Sequence, residues 1–172
     1  MSRQLLLMLV SYRSSQQEVE QLQACLTALQ TEVGYAVVVN AHQAGEPVEQ
    51  LAAGADGFLL NSDNLGYGRA VNRLLAKLGQ LPPYIGVLNT DLSWQPGTFE
   101  RLLAWLQQHP DVNLAVPQIL DEAGTPQKLC KQNPTVLGLL SRRFLPSWLK
   151  PTWLKRYDRW YVMAYQDYQE VF

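Results

Sequence analysis

Leu5-Leu6-Leu7-Met8-Leu9-Val10, followed at once by Ser11-Tyr12-Arg13-Ser14-Ser15 and then by Val19, Leu22, Leu26 and Leu29, decides the fold class. Six apolar residues in a row, with no alternation, describe a strand buried on both faces. Ser14 and Ser15 offer helix caps, and the four apolar residues after them share one face at helical spacing. A strand buried on both sides that feeds directly into a helix is the unit of an α/β sheet.

The unit repeats along the chain. Tyr35–Val39 is a second β-rich run ending at Asn40, and Pro47 opens a short helix over Val48–Ala53. Gly57–Leu60 is a third, brief strand, and a helix over Arg69–Leu78 follows the polar stretch Asn61–Gly68. Pro82-Pro83 break the chain before a fourth strand, Tyr84–Leu88. Pro96 opens a helix through Phe99, Leu102, Leu103 and Leu106, and Leu114–Val116 reads as a fifth strand. The expectation is a mostly parallel central sheet flanked by helices on both faces, with ligands beyond the carboxyl ends of the strands. That rule singles out Ser11-Tyr12-Arg13, Asn40-Ala41-His42, Asn61–Asn72 and Asn89-Thr90-Asp91.

Composition excludes several classes. With 172 residues, 47% hydrophobic and 17% charged, the chain supports one domain with a real core rather than a disordered segment. No apolar run approaches the ~20 residues of a membrane-spanning helix, and the apolar start carries only Arg3 as a basic lead. Cys25 and Cys130 form neither a metal spacing nor a disulfide framework, which suits a cytoplasmic setting. Charge is uneven. Residues 1–127 hold six Lys/Arg against twelve Asp/Glu, a net of −6, whereas residues 128–161 hold eight Lys/Arg and one acid, a net of +7. The reading is a ligand-binding body over 1–127 and a basic aromatic segment over 128–172 with a different task.

No Walker A sequence, His-Glu-x-x-His pair, Cys-x-x-Cys pair or serine nucleophile elbow occurs. His109 ends a helix before Pro110 and reads as structural, while His42 at a strand end reads as a solvated loop residue with some chance of ligand contact. Gly66-Tyr67-Gly68 lies between a strand and a helix, but lacks the third glycine of a dinucleotide fingerprint and follows the third strand rather than the first. Asn89-Thr90-Asp91 ends an apolar strand with two oxygen side chains two residues apart. Such a pair can hold a hard divalent cation that shares its other positions with phosphate and water, and it can equally cap the next helix.

Taken in order, these segments resemble the amino-terminal half of a family-2 glycosyltransferase of the GT-A type, in its rhamnosyltransferase-like branch. Val10-Ser11-Tyr12 with Ser14 is similar to the family's Val-Ser-Tyr-Asn-Ser opening, with Arg13 where asparagine is usual. Val37-Val38-Val39-Asn40 resembles its Val-Val-Asp-Asn, and Asn64–Asn72 is similar to Asn-x-Gly-Phe-x-x-Ala-x-Asn. Leu88-Asn89-Thr90-Asp91 resembles Leu-Asn-Pro-Asp, the family's form of the metal motif; Gln95-Pro96-Gly97, Val116-Pro117-Gln118-Ile119 and the turn at Asp121–Gly124 complete a likeness over residues 5–135. The resemblance implies an α/β, Rossmann-like GT-A fold. It also implies a nucleotide-sugar site made by Ser11, Tyr12, Asn40, Asn64, Gly66, Arg69, Asn72 and Asn89, with Mg²⁺ or Mn²⁺ at Asp91.

The implied partners are a nucleotide-diphosphate sugar and a glycan or lipid-linked glycan hydroxyl, joined by inverting transfer. The family's general base falls after the last residue here, and neither Asp167 nor Glu170 sits in a comparable context, so the expectation is a fragment of a longer enzyme. Two alternatives stand beside it: a non-catalytic nucleotide-sugar-binding or scaffold module, and a nicotinamide-dependent oxidoreductase, which the broken glycine fingerprint disfavours. Residues 137–161 interleave Lys/Arg with Phe144, Trp148, Trp153, Tyr157, Trp160 and Tyr161. That composition suits a cover over the sheet or peripheral contact with the inner face of a membrane, and the acidic body argues against nucleic acid.

Overall fold

A computed structural model of the chain describes residues 3–121, 123–125, 127, 136–146 and 148–154. The chain divides into two compact units, Met1–Asn113 and Leu114–Phe172.

The first unit opens with β1 (Leu5–Ser11), all seven residues of which are buried. Then come α1 (Gln16–Thr27), β2 (Val33–Val39), a 3₁₀ helix (Pro47–Ala52), β3 (Gly57–Leu60), α2 (Tyr67–Leu78), β4 (Tyr84–Asn89) and α3 (Thr98–Gln108). The four strands form one sheet in the order β3-β2-β1-β4, and every pairing is parallel. This is the α/β, Rossmann-like fold expected of the GT-A type. The order places β1 and β2 centrally, which is why their sequences run apolar without alternation.

Successive side chains point to opposite faces, so the sheet has two cores. On one face Leu6, Met8, Val10, Ala36 and Val38 meet Ala70, Val71 and Leu74 of α2. On the other, Leu9, Val37 and Val39 meet Val19, Leu22 and Leu26 of α1 together with Val48 and Leu51 of the 3₁₀ helix. Gly57 lets α2 close over the sheet, because a Cβ there would stand 2.5 Å from Leu78 Cδ2. At α1 the cap is Ser15, whose hydroxyl accepts from the Glu18 amide while the Glu18 carboxylate accepts from the Ser15 amide.

The short helix expected after Pro47 is present as a 3₁₀ helix. Two expectations shift. α2 begins two residues earlier, at Tyr67. The fifth strand does not form: residues 114–119 have no regular structure, and Leu114 and Val116 are exposed. Three residues without a ladder partner cannot satisfy their own backbone groups as a strand, and Pro117 removes one donor.

Tyr35 ties the 3₁₀ helix to the sheet by donating to the carbonyls of Leu51 (3.1 Å) and Ala53 (2.9 Å). Burial first, and the Asp56 carboxylate second, raise its phenol above the ordinary value of 10.0. The unfolded chain therefore releases this proton first, and the contribution present below pH 10 is lost as pH rises through the folded-state value. Tyr35→Phe is expected to cost about 1 kcal/mol at neutral pH. It should also flatten the alkaline fall in stability, which urea unfolding at pH 8 and pH 10.5 measures.

In the second unit, Asp121 shapes the expected turn: its carboxylate accepts from the amides of Ala123 (3.0 Å) and Thr125 (2.8 Å). Gly124 adopts φ 75°. α4 (Val136–Phe144) follows. Cys130 and residues 155–172, including Tyr157, Trp160, Asp167 and Glu170, lie outside the described residues. Among the described residues no helix is long and apolar enough to cross a membrane.

Candidate functional site

Parallel strands deliver their carboxyl ends to one edge of the sheet, and there a cavity of about 380 Å³ opens in the first unit. Tyr12, Arg13, Ser14 and Glu18 line it after β1, Asn40 after β2, Asn64, Gly66 and Tyr67 at the start of α2, and Asn89, Thr90 and Asp91 after β4. Four loops distant in sequence thus share one wall, as the topology requires.

Buried polar contacts hold those loops together. Ser11 Oγ lies 2.8 Å from Ser14 Oγ, which lies 2.7 Å from Thr90 Oγ1, a hydroxyl chain that joins the ends of β1 and β4. Asn40 and Asn61 are both buried; Asn61 Nδ2 donates to Asn40 Oδ1 (3.1 Å), and Asn40 Nδ2 reaches the Gly66 carbonyl at 3.5 Å. Backbone bonds from Ala41 to Asp63 (3.1 Å) and from His42 to Asn61 (2.9 Å) complete the link between the loops after β2 and β3. Removing one member of such a pair strands the other in the interior, which is costlier than the bond's net worth.

The start of α2 is built to stay open. Asn64 Oδ1 accepts from the Gly66 amide at 3.0 Å, an Asx turn, and Gly66 takes φ 75°, where other residues are strained. No side chain caps the helix, so its first amides keep their capacity for an outside acceptor. Tyr67 stands beside it, half-exposed, its phenol raised by burial first and by the Asp91 charge second. At the end of β1 the backbone departs from the ordinary. Arg13 has φ 52°, the left-handed region that costs a residue with a Cβ about 1 kcal/mol, and its guanidinium lies 5.2 Å from the Tyr12 ring centroid.

The structure brings Tyr12, Asn40, Asn64, Gly66, Asn89 and Asp91 to one cavity. Ser11 lies behind the wall, fully buried, as the anchor of the hydroxyl chain. Arg69 and Asn72 lie on the exposed side of α2 and do not line it. His42 faces Glu46 (3.4 Å) and Glu49 (3.1 Å) instead of the cavity, and His109 is bound to the Trp105 carbonyl and stacked on its ring. Arg13, Ser14, Glu18, Tyr67 and Thr90 join the wall without having been singled out individually. Ser15-x-x-Glu18 is a readable capping box, but no sequence signal places Arg13 or Tyr67 at one cavity with Asp91.

Among the described residues no three His, Cys, Asp or Glu side chains converge as a complete metal cage. The donor set fits a different arrangement. Asp91 is exposed at the cavity, with no hydrogen bond or ion pair among the described residues, and Asn89 and Thr90 supply neutral oxygens beside it. One carboxylate completed by substrate phosphate and water is a common way to hold Mg²⁺ or Mn²⁺.

The sequence model for "Glycosyl transferase family 2" matches residues 35–159. An N-acetylglucosaminyl-diphospho-decaprenol L-rhamnosyltransferase of Mycobacterium tuberculosis, in the strains CDC 1551 / Oshkosh and H37Rv, is 32% identical over 104 residues, covering 55% of this chain and 34% of that protein. The chain therefore spans about a third of the length of these curated relatives. Among solved structures, S. aureus TarS is similar in fold at a TM-score of 0.51 with 17% identity, over 69% of this chain and 24% of that one. Its fragment 1–349 is similar at a TM-score of 0.57 with 16% identity, over 92% of this chain and 55% of that one.

Proposed function

Because the chain belongs to glycosyl transferase family 2, we propose that it carries the donor-binding part of an enzyme that moves a sugar from a nucleoside diphosphate to a hydroxyl of a glycan or lipid-linked glycan, with inversion. One observation carries this reading. The free carboxylate of Asp91 and the uncapped start of α2 line the same cavity, so a place for a cation and a place for phosphate stand together. Asp91, with oxygen from Asn89, would hold a divalent cation, which when bound would offset the charge that develops on the leaving diphosphate. The chain's own groups do the rest. The uncapped amide of Tyr67, the first residue of α2, is available to a phosphate oxygen, Tyr12 offers a ring on the rim for the base, and Asn64 holds the Gly66 turn by accepting from the Gly66 amide. The Asn40–Asn61 pair keeps two of the loops in register. The acceptor's proton goes to a base outside the described residues.

The test is calorimetric titration with UDP, dTDP and GDP, each with Mn²⁺ and with chelator. Metal-dependent binding of one of them supports the reading and names the donor class. If none binds in either condition, the donor reading is overturned.

Residues 137–161 are proposed to meet an anionic membrane surface, which would bring the site to a lipid-linked acceptor at the cytoplasmic face. The described part of this segment exposes Leu139, Leu140, Phe144, Trp148 and Trp153, with Arg143 exposed among them. Aromatic rings and cations together suit the headgroup layer. The chain is expected to sediment with phosphatidylglycerol vesicles and to be released by salt. Sedimentation that is equal with neutral phosphatidylcholine vesicles, or absent, would refute lipid contact of this kind.

A further inference from the structure

We propose that Arg13 is the built-in cation of the nucleotide site, its guanidinium taking a phosphate oxygen of the bound nucleoside diphosphate. The assignment rests on the donor-site reading above and adds to it a residue that family and motif do not supply. Four observations converge on it. Arg13 lines the cavity, on the same wall as Asn89, Thr90 and Asp91. Its backbone is left-handed at φ 52°, a conformation that glycine or asparagine takes far more readily, so a long cationic side chain is held there against local preference. Strain of this kind gathers where a side chain must be aimed.

The charge is also unspent. Among the described residues the guanidinium has no ion pair or hydrogen bond, only the face of Tyr12 at 5.2 Å. Of the two acids on the wall, Glu18 is committed to the cap of α1, accepting from the Ser15 amide (2.6 Å) and hydroxyl (2.9 Å). Asp91 shares the cavity yet forms no ion pair with Arg13. Finally, Arg13 is braced on both sides. Ser11 and Ser14, two residues before it and one after, are joined to each other and through Ser14 to Thr90, the neighbour of Asp91. The loops that carry Arg13 and Asp91 are therefore tied together beside one cavity. A planar, permanently charged fork suits phosphate oxygens better than it suits a neutral base or sugar.

The experiment compares nucleoside, nucleoside monophosphate and nucleoside diphosphate of the uridine, thymidine and guanosine series on the full chain, with Mn²⁺ and with chelator, at low and high salt. Arg13→Asn and Arg13→Gly keep the left-handed turn, so both are expected to melt at or above the wild-type temperature. Both should weaken diphosphate binding about tenfold to a hundredfold, with the nucleoside unchanged within about twofold. They should also lose part of the salt dependence, and Arg13→Lys should fall between. Equal losses for nucleoside and diphosphate, or no loss at all, overturn the assignment while leaving the donor site intact. Failure of wild type to bind any of the three diphosphates overturns the donor reading itself, and the assignment with it.

Discussion

Asp91→Ala abolishes the response of nucleoside-diphosphate binding to Mg²⁺ or Mn²⁺ and, with metal present, weakens binding about tenfold to a hundredfold, or about 1.4–2.7 kcal/mol. The expectation follows from how few protein oxygens stand at that point. Asp91 is the only carboxylate on the wall without a partner among the described residues, since Glu18 is engaged in the α1 cap. A hard cation shared with phosphate depends heavily on its one anionic protein ligand. The same residue does little for the fold. It is exposed and unbonded among the described residues, so its replacement should change unfolding free energy by less than about 0.5 kcal/mol. Calorimetry with Mn²⁺ and with chelator reads the binding, and thermal unfolding of the same samples reads the fold. An Asp91→Ala protein that still binds more tightly with Mn²⁺, by the wild-type factor, would remove the cation from Asp91.

The largest effect on stability is expected at Leu74. It is fully buried in the core that α2 forms with Leu6, Met8, Val10, Ala36 and Val38. Leu74→Ala deletes three carbons where rigid strands cannot move in to fill the space, a cost of about 2–5 kcal/mol. For a chain of this size that lowers the melting temperature by about 5–15 °C. Leu139→Ala in α4 removes the same atoms from a side chain that is 51% exposed, and should cost under about 1 kcal/mol. Differential scanning calorimetry of the two variants makes the comparison. Equal losses would mean that α2 does not hold the sheet as described. At 25 °C the folded fraction of Leu74→Ala should still bind nucleotide, because Gly66 and Tyr67 lie two turns away from the cavity it creates.

The amino-acid sequence by itself determined the sheet. Leu5–Val10 and Tyr35–Val39 are apolar at every position, and only a strand covered on both faces uses such a run, so parallel pairing and helices on either side followed. It determined the motifs too: Asn64-x-Gly66 reads as a turn into a helix, and Asn89-x-Asp91 as oxygen donors at a strand end. Short-range rules sufficed because each feature is set by neighbours within a few residues. Leu114–Val116 shows the limit. Its pattern matches a strand, but a strand exists only when another supplies the ladder, and the run remains irregular and exposed.

What only the tertiary structure decided is the composition of the site. Arg13 and Thr90 are 77 positions apart, yet Ser14 Oγ, one residue from Arg13, lies 2.7 Å from Thr90 Oγ1. No periodicity encodes that meeting; it follows from β1 and β4 being paired in parallel with their carboxyl ends level, Val10 opposite Asn89. In the same way Asn40, expected in the nucleotide-sugar site, spends its carboxamide on Asn61 and Gly66, and Arg69 and Asn72 face outward because α2 turns its apolar side to the sheet. Local sequence sets which residues stand at strand ends. Strand order and helix rotation decide which of them share a cavity, because both are settled by packing between segments distant in the chain.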